Sequence, residues 1–69
     1  MNQANDASDR AELSTLRSQL EELTARVTRV AERYGTTPDS AVAADLFTAE
    51  RALTSARRSL DKVLATLRS

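Results

Sequence analysis

The chain has 69 residues, a formal net charge of zero and neither cysteine nor histidine, so it forms one domain at most and contains no disulfide. One glycine, one proline, one phenylalanine and one tyrosine are too few turn formers and strand formers for a β-sandwich or β-barrel. The composition also excludes Cys- or His-based catalysis and the commonest zinc sites, and the charge balance indicates no general attraction to nucleic acid or anionic membranes.

The sequence shows no segment that directs the chain into or across a membrane. No apolar run approaches the roughly 18 residues of a membrane span. The first residues have neither the basic stretch nor the apolar region of a signal peptide. We therefore expect a cytoplasmic protein. Separately, we expect residues 1–7 to form a flexible N-terminal tail, as is common at chain ends.

The first half of the chain has a heptad pattern that predicts a helix over about residues 8–34. Ser8 is the expected N-cap, with Asn5 or Asp6 as alternatives, and Gly35 is expected to end the helix in the left-handed conformation. The apolar positions alternate in steps of three and four residues. They are Leu13, Leu16, Leu20, Leu23, Val27, Val30 and Tyr34.

The second half repeats the pattern after a predicted turn over residues 35–37. Thr37 fits an N-cap and Pro38 the first helical position, so a second helix is predicted over about 38–68. Its apolar positions are spaced alternately by four and three residues. They are Val42, Leu46, Ala49, Leu53, Ala56, Leu60, Val63 and Leu67.

So short a connection makes the two helices antiparallel neighbours. The predicted fold is therefore all-α, an antiparallel two-helix coiled-coil hairpin. Facing residue numbers are expected to sum to about 72–73, which pairs Leu23 with Ala49 and Leu16 with Ala56 in layers of one large and one small side chain. The predicted hairpin core consists of Leu13, Leu16, Leu20, Leu23, Val27, Val30, Leu46, Ala49, Leu53, Ala56 and Leu60.

The distribution of charge favours the same arrangement. Residues 1–25 carry five acidic and two basic side chains, whereas residues 51–69 carry one acidic and five basic ones. Folding the chain at the turn brings these oppositely charged segments together. Exposed pairs stabilise weakly, so the pattern is expected to set orientation more than stability.

A single hairpin covers only one side of each apolar stripe, and this small chain has no disulfide or metal to stabilise it. Ala43, Phe47 and Leu64 widen the stripe of the second helix, and they are the predicted partner interface. We expect a homodimer that forms a four-helix bundle, although a heteromeric partner helix would serve as well.

The layout resembles one known architecture, whereas a comparison with one ligand-binding motif does not amount to a match. The hairpin resembles the plasmid copy-number RNA-binding protein Rop in size and in its large and small layers, a likeness of architecture without an RNA-contact motif. Anti-sigma hairpins bind cyclic di-GMP through the motif Glu-x3-Ser-x2-Arg-x3-Gln-x3-Asp. Glu50, Thr54, Arg57 and Asp61 share part of that spacing, but the Ser and Gln positions differ and the last position is Ala65.

These patterns predict a non-enzymatic, self-associating protein–protein interaction or regulatory adaptor module. We expect no catalytic residue, cofactor or metal site, since carboxylates such as Glu21, Glu22 and Glu50 are typical of solvated helix surfaces. The alternative is a regulator that binds a nucleotide or nucleic acid, because arginine suits bidentate phosphate recognition. Its possible anion-binding residues are Arg26, Arg29, Arg33, Arg51 and Arg58.

Overall fold

The computed structural model describes residues 3–35 and 40–68, with side chains described over 6–35 and 41–67. Two helices, α1 (Gln3–Tyr34) and α2 (Ser40–Arg68), pack against each other as a hairpin about 54 Å long. The prediction of an all-α two-helix hairpin is confirmed. Neither helix, over the residues described, is long and apolar enough to cross a membrane.

Helix α1 begins earlier than the sequence predicted. It starts at Gln3, so Ser8 lies inside the helix and residues 3–7 are helical rather than a flexible tail. No glycine or proline lies between Gln3 and Ser8 to stop the helix, and Asp6 places a negative charge in the first turn, where the helix dipole favours it.

The end of α1 also differs from the prediction. The backbone N–H of Gly35 donates to the carbonyl oxygen of Ala31 at 3.0 Å, and Gly35 does not have a positive φ. Gly35 therefore continues the hydrogen bonding of the helix and does not adopt the predicted left-handed conformation. The predicted roles of Thr37 and Pro38 lie outside the described residues, and α2 is described from Ser40.

The contact between the helices is formed by parallel rows of side chains spaced seven residues apart. Two small side chains, Ala31 and Ala43, are the buried ones in the described part of the chain, at 0% and 5% exposed. On α1 the rows at the contact are Leu13, Leu20 and Val27, and Arg17, Thr24 and Ala31. On α2 they are Leu46, Leu53, Leu60 and Leu67; Ala43, Glu50, Arg57 and Leu64; and Phe47, Thr54 and Asp61.

The predicted core differs from this contact at four positions. Leu16 and Leu23 are 41% and 46% exposed, and Ala49 and Ala56 are exposed as well. The predicted Leu–Ala layers are therefore not buried within a single hairpin. The other predicted core residues are half-buried, namely Leu13, Leu20, Val27, Val30, Leu46, Leu53 and Leu60.

The residues of the predicted partner interface lie in the rows that contact α1, and their contact with a partner stays a prediction. Ala43 is buried, and Phe47 and Leu64 are half-buried in the rows that contact α1. The register also differs away from the turn, where Arg17 bonds to Asp61 and the predicted register places Arg17 opposite positions 55 and 56. Near the turn, Val27 and Leu46 line one cleft, as the predicted register pairs them. The helices therefore present different rows to each other than the apolar pattern alone predicts.

The burial of Ala43 gives a test of this contact. We expect Ala43→Leu to lower the free energy of unfolding by about 1–3 kcal/mol, because added methyl groups have no room in a closely packed interface. Urea unfolding followed by circular dichroism at a fixed protein concentration measures the change.

Ala44→Leu is the matched control, since it adds the same atoms at the neighbouring exposed position. It should change the free energy of unfolding by less than about 0.5 kcal/mol. Equal effects of the two substitutions would contradict the helix contact described above.

Candidate functional site

One side of the hairpin carries a continuous apolar surface without a covering element among the described residues. We call it the apolar face and define it by Leu16, Leu23 and Val30 of α1 and by Ala49, Ala56 and Val63 of α2. Leu16, Leu23 and Val63 are 41%, 46% and 43% exposed, and it is the grouping of such large apolar side chains on one face that marks a candidate interaction surface.

Two clefts show that the apolar residues of both helices lie on this same side. One cleft, of about 460 Å³, lies at the end of the hairpin opposite the turn, which we call the open end. Leu13, Leu16, Val63 and Leu67 are in its walls. A second cleft of about 290 Å³ near the turn is lined by Leu23, Val27, Val30 and Leu46. Ala49 and Ala56 belong to the row of Val63 and lie between the two clefts.

The apolar face is rotated away from the neighbouring helix. On α1 the contact with α2 uses the row of Leu20 and the row of Thr24, whereas the apolar stripe uses the row of Leu20 and the row of Leu23. Adjacent rows in a heptad pattern are about 50° apart. The stripe of α1 therefore points about 50° to one side of α2.

The charges at the rim of the apolar face differ in sign between its two ends. Asp9 and Glu12 lie beside the cleft at the open end. Arg26 lies beside the cleft near the turn. The α1 edge of the face is consequently acidic at one end and basic at the other, although the whole chain is neutral.

The arginines predicted on α1 do lie together. Arg26, Arg29 and Arg33 line one open cleft of about 570 Å³, which we call the arginine cleft. Val30 and Glu32 complete its lining, so the site contains one carboxylate among three guanidinium groups. The cleft adjoins the basic end of the apolar face through Arg26 and Val30, which line both clefts.

The predicted arginines of α2 have different surroundings. The guanidinium of Arg51 donates to the hydroxyl of Thr48 at 3.2 Å within the same helix. Arg58 is exposed one heptad further along. The arginine cleft is lined by α1 residues alone, so Arg51 and Arg58 do not extend it.

A polar band on the other side of the helix contact was missed by the sequence analysis. Arg17 Nε donates to Asp61 Oδ1 across the hairpin at 2.5 Å, and Arg57 donates to Asp61 Oδ2 at 2.8 Å. Arg17 also donates to Glu21 at 3.0 Å. The four-residue spacings of Arg17–Glu21 and Arg57–Asp61 were visible in the sequence, but the bond between helices depends on the register.

Hydrogen bonding and charge in this band act on Arg17. The hydrogen bond that Arg17 donates to Asp61 is the largest cause that raises the pKa of the Arg17 guanidinium above its ordinary value, followed by the negative charge of Asp61. Arg17, Arg57 and Asp61 are each half-buried. Asp61 therefore joins two cations and fixes the register of α2 on α1 near the open end.

The carboxylates do not assemble a metal centre in the part of the chain that the structure describes. No group of three acidic side chains over these residues could hold a metal ion. Glu21 is bonded to Arg17, Glu22 is exposed, and Glu50 accepts a long hydrogen bond of 3.5 Å from Thr54.

Comparison with known proteins assigns no family to the chain. No family model matches it, and the searches for similar curated proteins and for similar solved structures found no match.

The role of Asp61 is testable by removing its charge. We expect Asp61→Asn to lower the urea midpoint of unfolding, because it leaves two half-buried guanidinium groups without their shared anion. Glu21→Gln removes a more exposed partner of Arg17 and should have a smaller effect. Equal midpoints for the two variants would show that Asp61 does not join the helices.

Proposed function

We propose that this chain is a non-enzymatic, cytoplasmic interaction module that associates with itself through the apolar face. In that role two hairpins form a four-helix bundle, which presents a helical surface to a protein partner in a regulatory or adaptor function. The observation that carries the proposal is the exposure of Leu16, Leu23 and Val63 in a chain whose buried described side chains are two alanines.

The energetics of a small helical chain support association. Large apolar side chains each contribute about 1.5–3 kcal/mol when fully buried, and here many are only half-buried. A chain of this size normally needs a disulfide, a metal or a partner to offset the entropy of folding. The chain has no cysteine, and no group of acidic side chains over the described residues could hold a metal ion, so a partner surface is the source of stability that we propose.

The direction of the apolar stripe supports a bundle. In a four-helix bundle the centre lies about 45° from the line that joins two neighbouring helices. The stripe of α1 points about 50° away from α2, which is the direction such a centre would occupy. A hairpin that functions alone would instead direct its stripe at the neighbouring helix.

Self-association is testable by mass and by one substitution. Light scattering at micromolar concentration should give twice the 7.5 kDa mass of the chain, and the melting temperature should rise with concentration. We expect Leu23→Glu to raise the dimer dissociation constant by about 100-fold or more, because it buries a carboxylate in the apolar face of each chain.

Ala25→Glu adds the same charge at an exposed position two residues further along α1 and serves as the control. It should leave the dissociation constant unchanged. A compact monomer with a concentration-independent melting temperature would contradict the proposal.

The arginine cleft favours a second candidate function, the binding of a nucleotide or nucleic acid. Three guanidinium groups around one cleft are suited to phosphate contacts. If this function is correct, a fluorescently labelled single-stranded RNA should bind much more weakly at about 200 mM salt than at about 50 mM, and Arg29→Ser should reduce binding. Binding that is absent at low salt would contradict this candidate.

A further inference from the structure

We propose that the occupant of the apolar face is a second copy of this chain, oriented so that α1 packs antiparallel to α1 of the other copy, with the two-fold axis near Leu23. The arginine cleft of each copy then receives the acidic rim of the other. This inference rests on the proposed self-association and specifies its geometry.

The charges at the rim of the apolar face are the reason for proposing a second copy of the chain as its occupant. The α1 edge of the apolar face is acidic at the open end, where Asp9 and Glu12 lie, and basic at the turn end, where Arg26 lies. A two-fold axis perpendicular to the helices brings each end of this edge onto the opposite end of its copy. Each acidic end then meets a basic end, which makes this edge complementary to its own copy.

The spacing of residues along α1 determines where the two-fold axis of the proposed dimer crosses this helix. Leu16 and Val30 are each seven residues from Leu23, so an axis at Leu23 pairs Leu16 with Val30 of the second copy and Leu23 with its own equivalent. The same axis brings Glu12 opposite Arg33 of the second copy. Glu12 and Arg33 are both on the row that borders the row of Leu23 on its outer side.

The spacing along α2 is consistent with this axis. Ala49 and Ala56 are symmetric about a point close to Leu53, and so are Val42 and Val63. Leu46 shares a cleft with Val27 and Val30, and Val63 shares one with Leu13 and Leu16. Interpolation between these two clefts places Leu53 at about the level of Leu23, so one axis serves both helices.

Ala49 and Ala56 allow the two α2 helices of the dimer to approach each other closely. Around the axis, Ala49 of each copy meets Ala56 of the other, while Leu23 meets Leu23 on α1. Small side chains between α2 helices and large ones between α1 helices form the alternating packing that bundles use. This explains why Ala49 and Ala56 are exposed in one hairpin yet occupy heptad positions.

The main alternative is a two-fold axis parallel to the helices, which packs α1 against α2 of the second copy. The outer row of α2 that would then face Glu12, Gln19, Arg26 and Arg33 contains Asp45, Ala52, Ser59 and Thr66. That row would place Asp45 near Arg33 of the other copy but would leave Glu12 opposite Thr66, without a charged partner. The antiparallel α1 pairing instead places both Glu12 side chains opposite arginines.

Spin labels distinguish the two axes, because the chain has no native cysteine. Glu22→Cys and Thr15→Cys place labels on one exposed row, seven residues apart. With the axis near Leu23, equivalent labels are offset along the helix by about 3 Å at position 22 and about 24 Å at position 15. The measured distance should thus be roughly 10 Å longer at position 15. With a parallel axis the two distances are equal.

Charge reversal tests the proposed pairing at the rim. Arg33→Glu and Glu12→Arg should each raise the dimer dissociation constant about tenfold, because symmetry places two such pairs in every dimer. The double variant should return it to within about threefold of the starting value. Arg58→Glu makes the same charge change on an outer row and should have no effect.

The outcomes separate this inference from the proposed function. A monomer at all concentrations would overturn both. A dimer with equal label distances at positions 15 and 22, or a double variant that remains as weak as the single ones, would overturn the antiparallel α1 pairing while leaving self-association intact.

Discussion

The angle between the apolar stripes and the neighbouring helix is the constraint on which the rest of this structure depends. The helices contact each other through a row of leucines and valines and a row that includes Thr24 and Ala31, while the row of Leu23 is left outside. Apolar side chains are therefore shared between the hairpin contact and an open face. This division leaves little fully buried surface among the described residues and leaves the apolar face exposed to solvent.

The polar band completes the contact between the helices, since part of each apolar stripe lies outside that contact. Because one apolar row of each helix lies on the apolar face, rows that contain polar residues form part of the contact between the helices. Near the open end, these polar residues are Arg17, Arg57 and Asp61. Long guanidinium side chains cover apolar surface with their stems while their heads remain hydrated. Asp61 accepts from both cations, so the ion pairs specify which residues of α2 lie opposite α1 and add modestly to stability.

The sequence predicted the helices and their apolar stripes but not the direction of those stripes. Heptad spacing identifies Leu23 and Ala49 as members of a stripe, and in a two-helix chain the nearest available partner is the other helix. The choice of contact rows depends on packing at Ala31 and Ala43, where small side chains allow the helices to approach closely. Spacing carries no information on that choice, which is why it predicts neither the place of Ala43 and Leu64 in the hairpin contact nor the bond between Arg17 and Asp61.

Isotope-filtered NMR on an equal mixture of labelled and unlabelled chains tests most directly whether a second copy covers the apolar face. Because the experiment selects contacts between a labelled and an unlabelled chain, every methyl contact that it detects joins two chains. Such contacts should involve the methyl groups of Leu16, Leu23 and Val63, and those of Ala49 and Ala56. Intermolecular contacts that involve Ala43 and Leu64 instead would contradict the account, since these residues pack within the hairpin.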